Sequence, residues 1–516
     1  MSQRYGIIDI GSNSIRLVIY EKTEQDAYRV VDGSKRAARL SSKVSEQGAL
    51  SQEGIDLLIE TLSVFQLVAA QHNLTKIVPL ATAAIRNATN QSEILSQVRA
   101  ATGLDIIVLS GLEEAEYGFL GMINSISIQD GFLLDIGGGS SELTLFLDRK
   151  IVHSYSFPFG CVSMNKRYDS KTGLSDELQA RMKAEIRAAL DQHDWISRYS
   201  QLPLVAVGGT ARALGKIHQA SIDYPLAQTH NYHLSAEAVN SLLLQLRALP
   251  QDKRKKTAGL SKDRVDVIVP GLSILTTVYE YIHATQYIIC GAGLRDGIFH
   301  KLSFPEQPIQ QNPLTYSTDN IVAMHTPALR EHVTHISGIA TKLLRCLMEK
   351  DVNKETYAHY VQTAAKLYRI GTTIDYSNFA KHTFYLIVHS HLSGLNHREL
   401  LLIAGIASFR SKGKVKNELK GYESIITAND LEIIYRLGTL LQLAIALDRS
   451  EAQAMSEMEL KLEDDKLYII ATTTRSDMQL EGHSVAEIAG DFKKQWGVKP
   501  ILSYGAAPLN EDHYVR

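Results

Sequence analysis

The sequence predicts an α/β protein with mixed sheets in two similar halves facing one cleft, followed by a helical region and a small α+β appendix. Three observations carry this. An apolar run, a bare tip and a second apolar run occur twice, as Gly6-Ile7-Ile8-Asp9-Ile10-Gly11-Ser12-Asn13-Ser14-Ile15-Arg16-Leu17 and as Phe132-Leu133-Leu134-Asp135-Ile136-Gly137-Gly138-Gly139-Ser140-Ser141-Glu142-Leu143, and each reads as a β-hairpin. After each hairpin, strand-like and helix-like periods alternate. Beyond Phe304-Pro305 the periodicity becomes almost wholly helical.

Laid on each other, Asp9 meets Asp135, Gly11 meets Gly137, Ser14 meets Ser140 and Leu17 meets Leu143. Glycines let the backbone approach a ligand and turn its N–H groups toward an anion. An acid ending the first strand of each hairpin is placed to bridge a hard cation to that anion. A matched pair of such tips points to two halves closing on one cleft.

In the first half, Tyr28-Arg29-Val30-Val31 supplies a third strand. Ile55, Leu58, Ile59, Leu62, Phe65 and Ala69 then fall on one helix face, behind Ser51 as N-cap. Ile77–Ala81 reads as a strand delivering Thr82 to Asn87, and Asp105–Leu109 as another, followed by Ser110-Gly111 and a helix opening with Glu113-Glu114. The second half repeats the plan: a strand at Ile151–Tyr155, a helix ending near Asp191, a strand at Leu204–Val207 before Gly208-Gly209-Thr210, and a strand at Gln286–Cys290 opening into Gly291–Gly297. Ligands of α/β sheets bind where strands end in such loops, so the turns at Gly11, Gly137, Gly208 and Gly291 are expected to converge. Past the aperiodic Glu306–Pro313, helix faces recur at Val333, Ile336, Ile339, Ala340, Leu343 and Leu347 and at Leu400, Leu401, Ile403 and Ala404; the last segment reads β-β-α-β, its helix running from Ser484 to about Trp496. The expected domains are 1–124, 125–304, 314–450 and 451–516.

At 516 residues the chain exceeds what one core supports. Hydrophobic content of 45% and charged content of 21% describe a folded globular protein, and a net charge of −2 argues against a general nucleic-acid binder. Cys161, Cys290 and Cys346 lack any Cys-x-x-Cys spacing and read as reduced thiols. No apolar run approaches the roughly 20 residues that span a bilayer, and the start of the chain has no apolar signal core. A cytoplasmic protein without membrane association is therefore expected.

Among residues suited to chemistry, Arg86 directly follows a strand, and its planar fork matches phosphate oxygens. Neighbouring helical residues point about 100° apart, so of Glu113 and Glu114 one at most faces the cleft while the other complements the helix dipole. A carboxylate beside a bound phosphoryl group can orient or deprotonate water. The run Lys253-Arg254-Lys255-Lys256 reads as a solvated face that could track a polyanion if it lined a groove. His325, His332, His335, His382, His389, His391 and His397 enrich the helical region but include no His-Asp pair of the kind a metal phosphohydrolase needs; they read as structural or surface groups.

Six segments together resemble the signature blocks of the exopolyphosphatase/guanosine pentaphosphatase family: Asp9–Arg16, Thr82–Ala88, Ser110–Ala115, Asp135–Glu142, Gly208–Thr210 and Pro270–Leu275. The resemblance implies two actin-like domains of the sugar-kinase and heat-shock ATPase type, and Mg²⁺-assisted release of a terminal phosphate from a linear phosphoanhydride chain. It implies Glu114 as the catalytic glutamate, acting as base toward the attacking water. Gly11, Ser12, Asn13, Ser14, Arg16, Arg86, Gly137, Gly138, Gly139, Ser140, Gly208, Gly209 and Thr210 would hold phosphate, and Asp9, Asp135 and Glu142 would hold metal.

The helical part resembles an HD-type domain, yet Tyr368-Arg369-Ile370-Gly371 stands where a His-acid pair is usual, and Phe409-Arg410 where a Tyr-His-Arg run is usual. A cation in place of a ligating acid repels a metal, so this domain is expected to be catalytically silent and to serve in homodimerisation and in extending the polyanion groove. The leading expectation is an exopolyphosphatase acting on inorganic polyphosphate. Its rival is a guanosine pentaphosphate (pppGpp) 5′-phosphohydrolase, with a phosphotransferase of the same fold or a non-catalytic sensor behind both.

Overall fold

The computed structural model describes residues 2–168, 173–326, 329–474, 477–504 and 507–508. The chain divides into two compact units, Met1–Pro313 and Leu314–Arg516.

The first unit holds two sheets of matching order. Strands β1 (Gln3–Ile10), β2 (Ile15–Lys22), β3 (Tyr28–Arg36), β4 (Lys76–Ala81) and β5 (Ile107–Val108) form a five-stranded sheet ordered β3-β2-β1-β4-β5. Strands β6 (Gly131–Ile136), β7 (Ser141–Leu147), β8 (Lys150–Phe157), β9 (Leu204–Val207), β10 (Tyr232–Leu234) and β11 (Tyr287–Ile289) form the other, ordered β10-β11-β9-β6-β7-β8. With β10 set aside, the second order repeats the first. In both sheets the first hairpin is antiparallel and the next strand pairs parallel to its first member. The parallel pairing puts β1 and β6 at the sheet centres, covered on both faces, which explains why both read as unbroken apolar runs.

One face of the first sheet packs Ile8, Ile10, Ile15, Leu17 and Ile19 against Ile55, Leu58, Leu62 and Phe65 of helix α1 (Gln52–Ala70). The Ser51 hydroxyl accepts from Gly54 N–H at 3.2 Å, as its N-cap position requires. The opposite faces are covered by an exchange. Helix α2 (Gly111–Ile123), which leaves the first sheet, lays Phe119, Met122 and Ile123 on Leu133, Phe146, Val205 and Val207 of the second. Helix α4 (Leu294–Ser303) leaves the second sheet and lays Ile298 and Phe299 on Tyr5, Ile7, Tyr20, Val78 and Leu80 of the first; α3 (Gly208–Ser221) lies between the two in sequence. The exchanged helices meet so closely that a Cβ on Gly297 would come within 1.9 Å of the Tyr117 carbonyl oxygen. The exchange ties the two halves and carries Glu114 and Arg295 into the space between them.

The second unit is a helical layer with a terminal sheet. Helices α5 (Arg330–Leu347), α6 (Lys354–Leu367), α7 (Phe379–His389), α8 (His397–Ala407) and α9 (Ala428–Ala446) supply its core. The last sheet runs β12 (Met455–Glu463), β13 (Lys466–Thr474), β14 (Lys499–Tyr504) and β15 (Ala507–Pro508), with α10 (Gln479–Trp496) crossing between β13 and β14. No helix in the described residues is long and apolar enough to cross a membrane.

Several local expectations are corrected. Strand β3 continues to Arg36, α10 begins at Gln479 rather than Ser484, and β10 and β15 are additional. The basic run is not uniformly solvated: Arg254 is fully buried and donates from Nε to Leu249 O at 2.8 Å and from Nη1 to Val265 O at 3.1 Å. In α5, His332 is buried between Asp448 (Nδ1 to Oδ2, 2.7 Å) and the Tyr368 hydroxyl (Nε2, 2.8 Å). Arg369 beside it is paired with Glu451, and Arg410 lies 4.5 Å over the Phe379 ring.

Candidate active site

Both hairpin tips close in the same way: Gly11 N–H donates to Ser14 O at 3.2 Å, and Gly137 N–H to Ser140 O at 3.0 Å. The tips face each other so closely that a Cβ on Gly138 would stand 2.7 Å from the Ser12 Cβ. Any side chain at 138 would force the jaws apart. Gly208 turns at φ +90°, a conformation other residues seldom adopt, with its α-carbon face against Asp135; a Cβ there would lie 2.6 Å from Asp135 Oδ1.

Between the tips lies a cavity of about 140 Å³. Asp9, Gly11, Ser12, Asn13, Ser14, Arg16, Glu114, Asp135, Gly137, Gly138, Ser140, Gly208 and Gly209 line it, as do Thr82, Arg212, Arg264 and Arg295. The volume is well under the roughly 300 Å³ at which pockets begin to enclose drug-sized ligands. It admits the end of a charged chain rather than a whole nucleotide.

Its chemistry is cationic in the wall and acidic at one end. Burial, then the neighbouring charges of Arg295 and Arg212, push the Arg16 guanidinium down to about 10. Arg212 is lowered by burial and by Arg295. Cations crowded to this degree are relieved by an anion. The buried Asn13 Nδ2 has no hydrogen-bond acceptor among the described residues and offers one more donor.

Glu113 and Glu114 divide as their spacing requires. Glu113 accepts from Ser110 N–H at 2.8 Å and closes a capping box at the start of α2. Glu114 lines the cavity, and Arg86 Nη1 donates to its Oε2 at 2.8 Å and to Leu109 O at 2.9 Å. Burial raises the Glu114 carboxyl; Arg86 opposes this, Asp135 and Asp9 add to it, and the result stands at about 7. A carboxyl poised there exchanges a proton readily at neutral pH.

Residues 18–303 match the model of the Ppx/GppA phosphatase family, and residues 323–483 match that of its domain III. The chain belongs to the Ppx/GppA phosphatase family. Members of this family are phosphoanhydride hydrolases. Among curated Ppx/GppA relatives, the guanosine-5′-triphosphate,3′-diphosphate pyrophosphatase of Vibrio cholerae serotype O1 is 26% identical over 94% of this chain and 97% of its own. The protein of the same name from Vibrio vulnificus is also 26% identical, over 94% and 97%. Among solved structures, an exopolyphosphatase from Cytophaga hutchinsonii superposes with a TM-score of 0.55 at 22% identity, covering 60% of this chain and 100% of its own. The Ppx/GppA member of Aquifex aeolicus gives 0.52 at 24%, covering 60% and 99%. These likenesses place the first unit in the actin-like Ppx/GppA fold.

Four residues expected at the site stand outside the cavity wall. Arg86 is engaged with Glu114 and does not line the cavity. Thr210 is fully buried against Gly271, and Gly139 packs against Ala83 and Ser12. Glu142 is buried behind the wall, where it accepts from the Ser156 hydroxyl at 2.7 Å.

The reading of residues passed over Arg212 and Arg264, and Arg295 was noted only as part of a loop. Arg212 had a legible signal, since it stands one turn after Gly208 in α3 and helical side chains lean toward the N-terminus. Arg264 sits in a short turn distant in sequence and had none.

For a divalent cation the donors are of the right kind. Asp135 and Glu142 are direct cross-strand partners on β6 and β7, so both side chains leave the same sheet face. Burial, then Asp9, raises Asp135 to about 6 against the pull of Arg212, and burial, Glu114 and Asp135 raise Glu142 well above the carboxylate range. Hard oxygen donors repelling one another in this way suit Mg²⁺. Among the described residues no three His, Cys, Asp or Glu side chains are gathered to hold a metal by themselves. The balance of its shell would therefore come from phosphate oxygen and water, as is usual for Mg²⁺.

Proposed function

We propose that this Ppx/GppA protein hydrolyses the terminal phosphoanhydride of guanosine pentaphosphate, releasing the outermost 5′-phosphate and leaving the tetraphosphate. The observation that carries the chemistry is Glu114: a carboxyl poised near neutrality, fixed by Arg86, in a cavity walled by Arg16, Arg212, Arg264 and Arg295. The terminal phosphoryl group enters between the hairpin tips, where the backbone N–H groups and the guanidinium wall take up its charge. Glu114 orients water in line with the bridging oxygen and accepts its proton as the P–O bond breaks. A cation held by Asp135 and Glu142 would add charge neutralisation at the phosphate oxygens.

The nucleotide assignment is supported by the curated relatives, which align over nearly their whole length and carry that activity in their names. Inorganic polyphosphate, the leading expectation from the sequence, stands second. It presents the same terminal group, and a cavity of about 140 Å³ reads only the end of either chain. Phosphate release from the two substrates at matched chain-end concentration tests the order: a higher kcat/KM on guanosine pentaphosphate is expected, and a preference for polyphosphate would reverse it.

A further inference from the structure

Arg264 is the cavity-wall arginine with the least local support. It sits in the short turn Lys262–Arg264, not on a sheet or a long helix, and its guanidinium occupies the space a Cβ on Gly209 would need, 1.7 Å from Nη2. It contributes to the repulsion that lowers both Arg16 and Arg212. A cation in such company retracts unless something holds its backbone in place.

Two ion pairs reach that turn from the opposite half. Lys35 Nζ lies 2.7 Å from Asp263 Oδ2, and Arg39 Nη1 lies 3.5 Å from Asp266 Oδ2, so the acids on either side of Arg264 are both gripped. Burial would raise the Asp263 carboxyl, but hydrogen bonds from Lys35 and Ser261 outweigh it and hold it down at about 2.

The gripping segment is itself anchored. Arg39 adopts a left-handed conformation, φ 47° and ψ 42°, which is strained for a residue with a side chain. Its N–H donates to Asn13 O at 3.0 Å, and Ser41 N–H donates to Ser12 O at 3.1 Å. The segment from Lys35 to Ser41 is thus fastened to the back of the first hairpin tip and extends its basic side chains across the cleft.

We infer that Lys35 and Arg39 are positioning residues for the hydrolysis: they tether the Asp263–Asp266 turn to the first hairpin and hold Arg264 over the phosphate cradle. Neither side chain lines the cavity, so each acts through Arg264. Lys35 is 43% exposed and Arg39 45%, and pairs so exposed are individually weak, so the tether rests on the two acting together.

The test is a mutant cycle on the full chain, with kcat/KM read from phosphate release. It uses whichever of guanosine pentaphosphate and polyphosphate is turned over faster, so the substrate assignment can fail without touching it. Lys35→Glu is expected to lower kcat/KM by about tenfold and Arg39→Gln by about threefold, with the Tm unchanged. Joining Lys35→Glu to Asp263→Lys should recover activity to within about twofold of wild type by restoring the pair in reverse. In an Arg264→Gln background, Lys35→Glu should cost less than about twofold, because the group it positions is gone. Full additivity of Lys35→Glu and Arg264→Gln, or no recovery in the reversed pair, would overturn the inference.

Discussion

The two hairpins share a backbone and differ in one charge. Across the first, Asp9 pairs with Arg16; across the second, at the same register, Asp135 pairs with Glu142. Their tips close with the same hydrogen bond, so each offers the same cradle of N–H groups. The cross-strand partner then decides what the cradle serves. In the first, burial still raises the Asp9 carboxyl, but Arg295, Arg16 and Arg212 all oppose it. In the second, the acid beside an acid and near Glu114 stores repulsion, which a bound cation or proton would relieve. Duplication supplied the symmetric frame, and one position made it chemically directional.

The comparison can be broken or sharpened by substitution, from the largest expected effect downward. Glu114→Gln should lower kcat by about a thousandfold while leaving substrate binding intact, since a general base contributes 10²–10⁴. Stopped activity with unchanged titration of a bound substrate analogue checks it; loss of binding as well would make Glu114 a binding residue instead. Arg16→Glu turns the first tip into a copy of the second and should lower kcat/KM about a hundredfold, roughly 2.7 kcal/mol. A loss below threefold would show that the charge asymmetry is incidental.

Asp135→Asn probes the stored repulsion through stability. Burial holds the folded carboxyl up at about 6 against an ordinary value of 3.8, so the native state keeps its proton longer than the unfolded chain does. Stability from this group is full below pH 4 and is lost as pH rises through 6, costing on the order of 3 kcal/mol above that. Without divalent cation, the variant's Tm relative to wild type should therefore be higher at pH 8 than at pH 4.5. A difference independent of pH would refute the assignment.

The smallest effect concerns the cation that holds Glu114. Arg86 opposes the burial that raises this carboxyl, so Arg86→Gln should raise it by about one further unit. The base works deprotonated, and the acid limb of kcat/KM should move from near pH 7 toward pH 8, with about fivefold lost at neutral pH and regained in alkali. A uniform loss at every pH would assign Arg86 to phosphate instead.

The paired hairpins, the succession of strands and helices after each and the division of labour between Glu113 and Glu114 were legible in the chain, because each rests on local periodicity or on the angle between adjacent helical residues. Cysteine was read correctly in kind: Cys161, Cys290 and Cys346 are free thiols. The Arg86–Glu114 pair was not legible, since the two lie 28 positions apart and only packing brings them together. Glu142 and Thr210 are buried behind the cavity wall, a depth that spacing along the chain does not encode.

What the sequence determined by itself was the repeated frame: acid, glycine tip, strand, and the run of loops at the strand ends, all set by spacing along the chain. Tertiary structure alone decided the wall of arginines. Arg212, Arg264 and Arg295 come from a helix start, an isolated turn and a helix exchanged between sheets, and only folding gathers them around one cavity with Arg16. Electrostatics acts through space, and no periodicity along a chain encodes which distant charges will share a few ångströms of it.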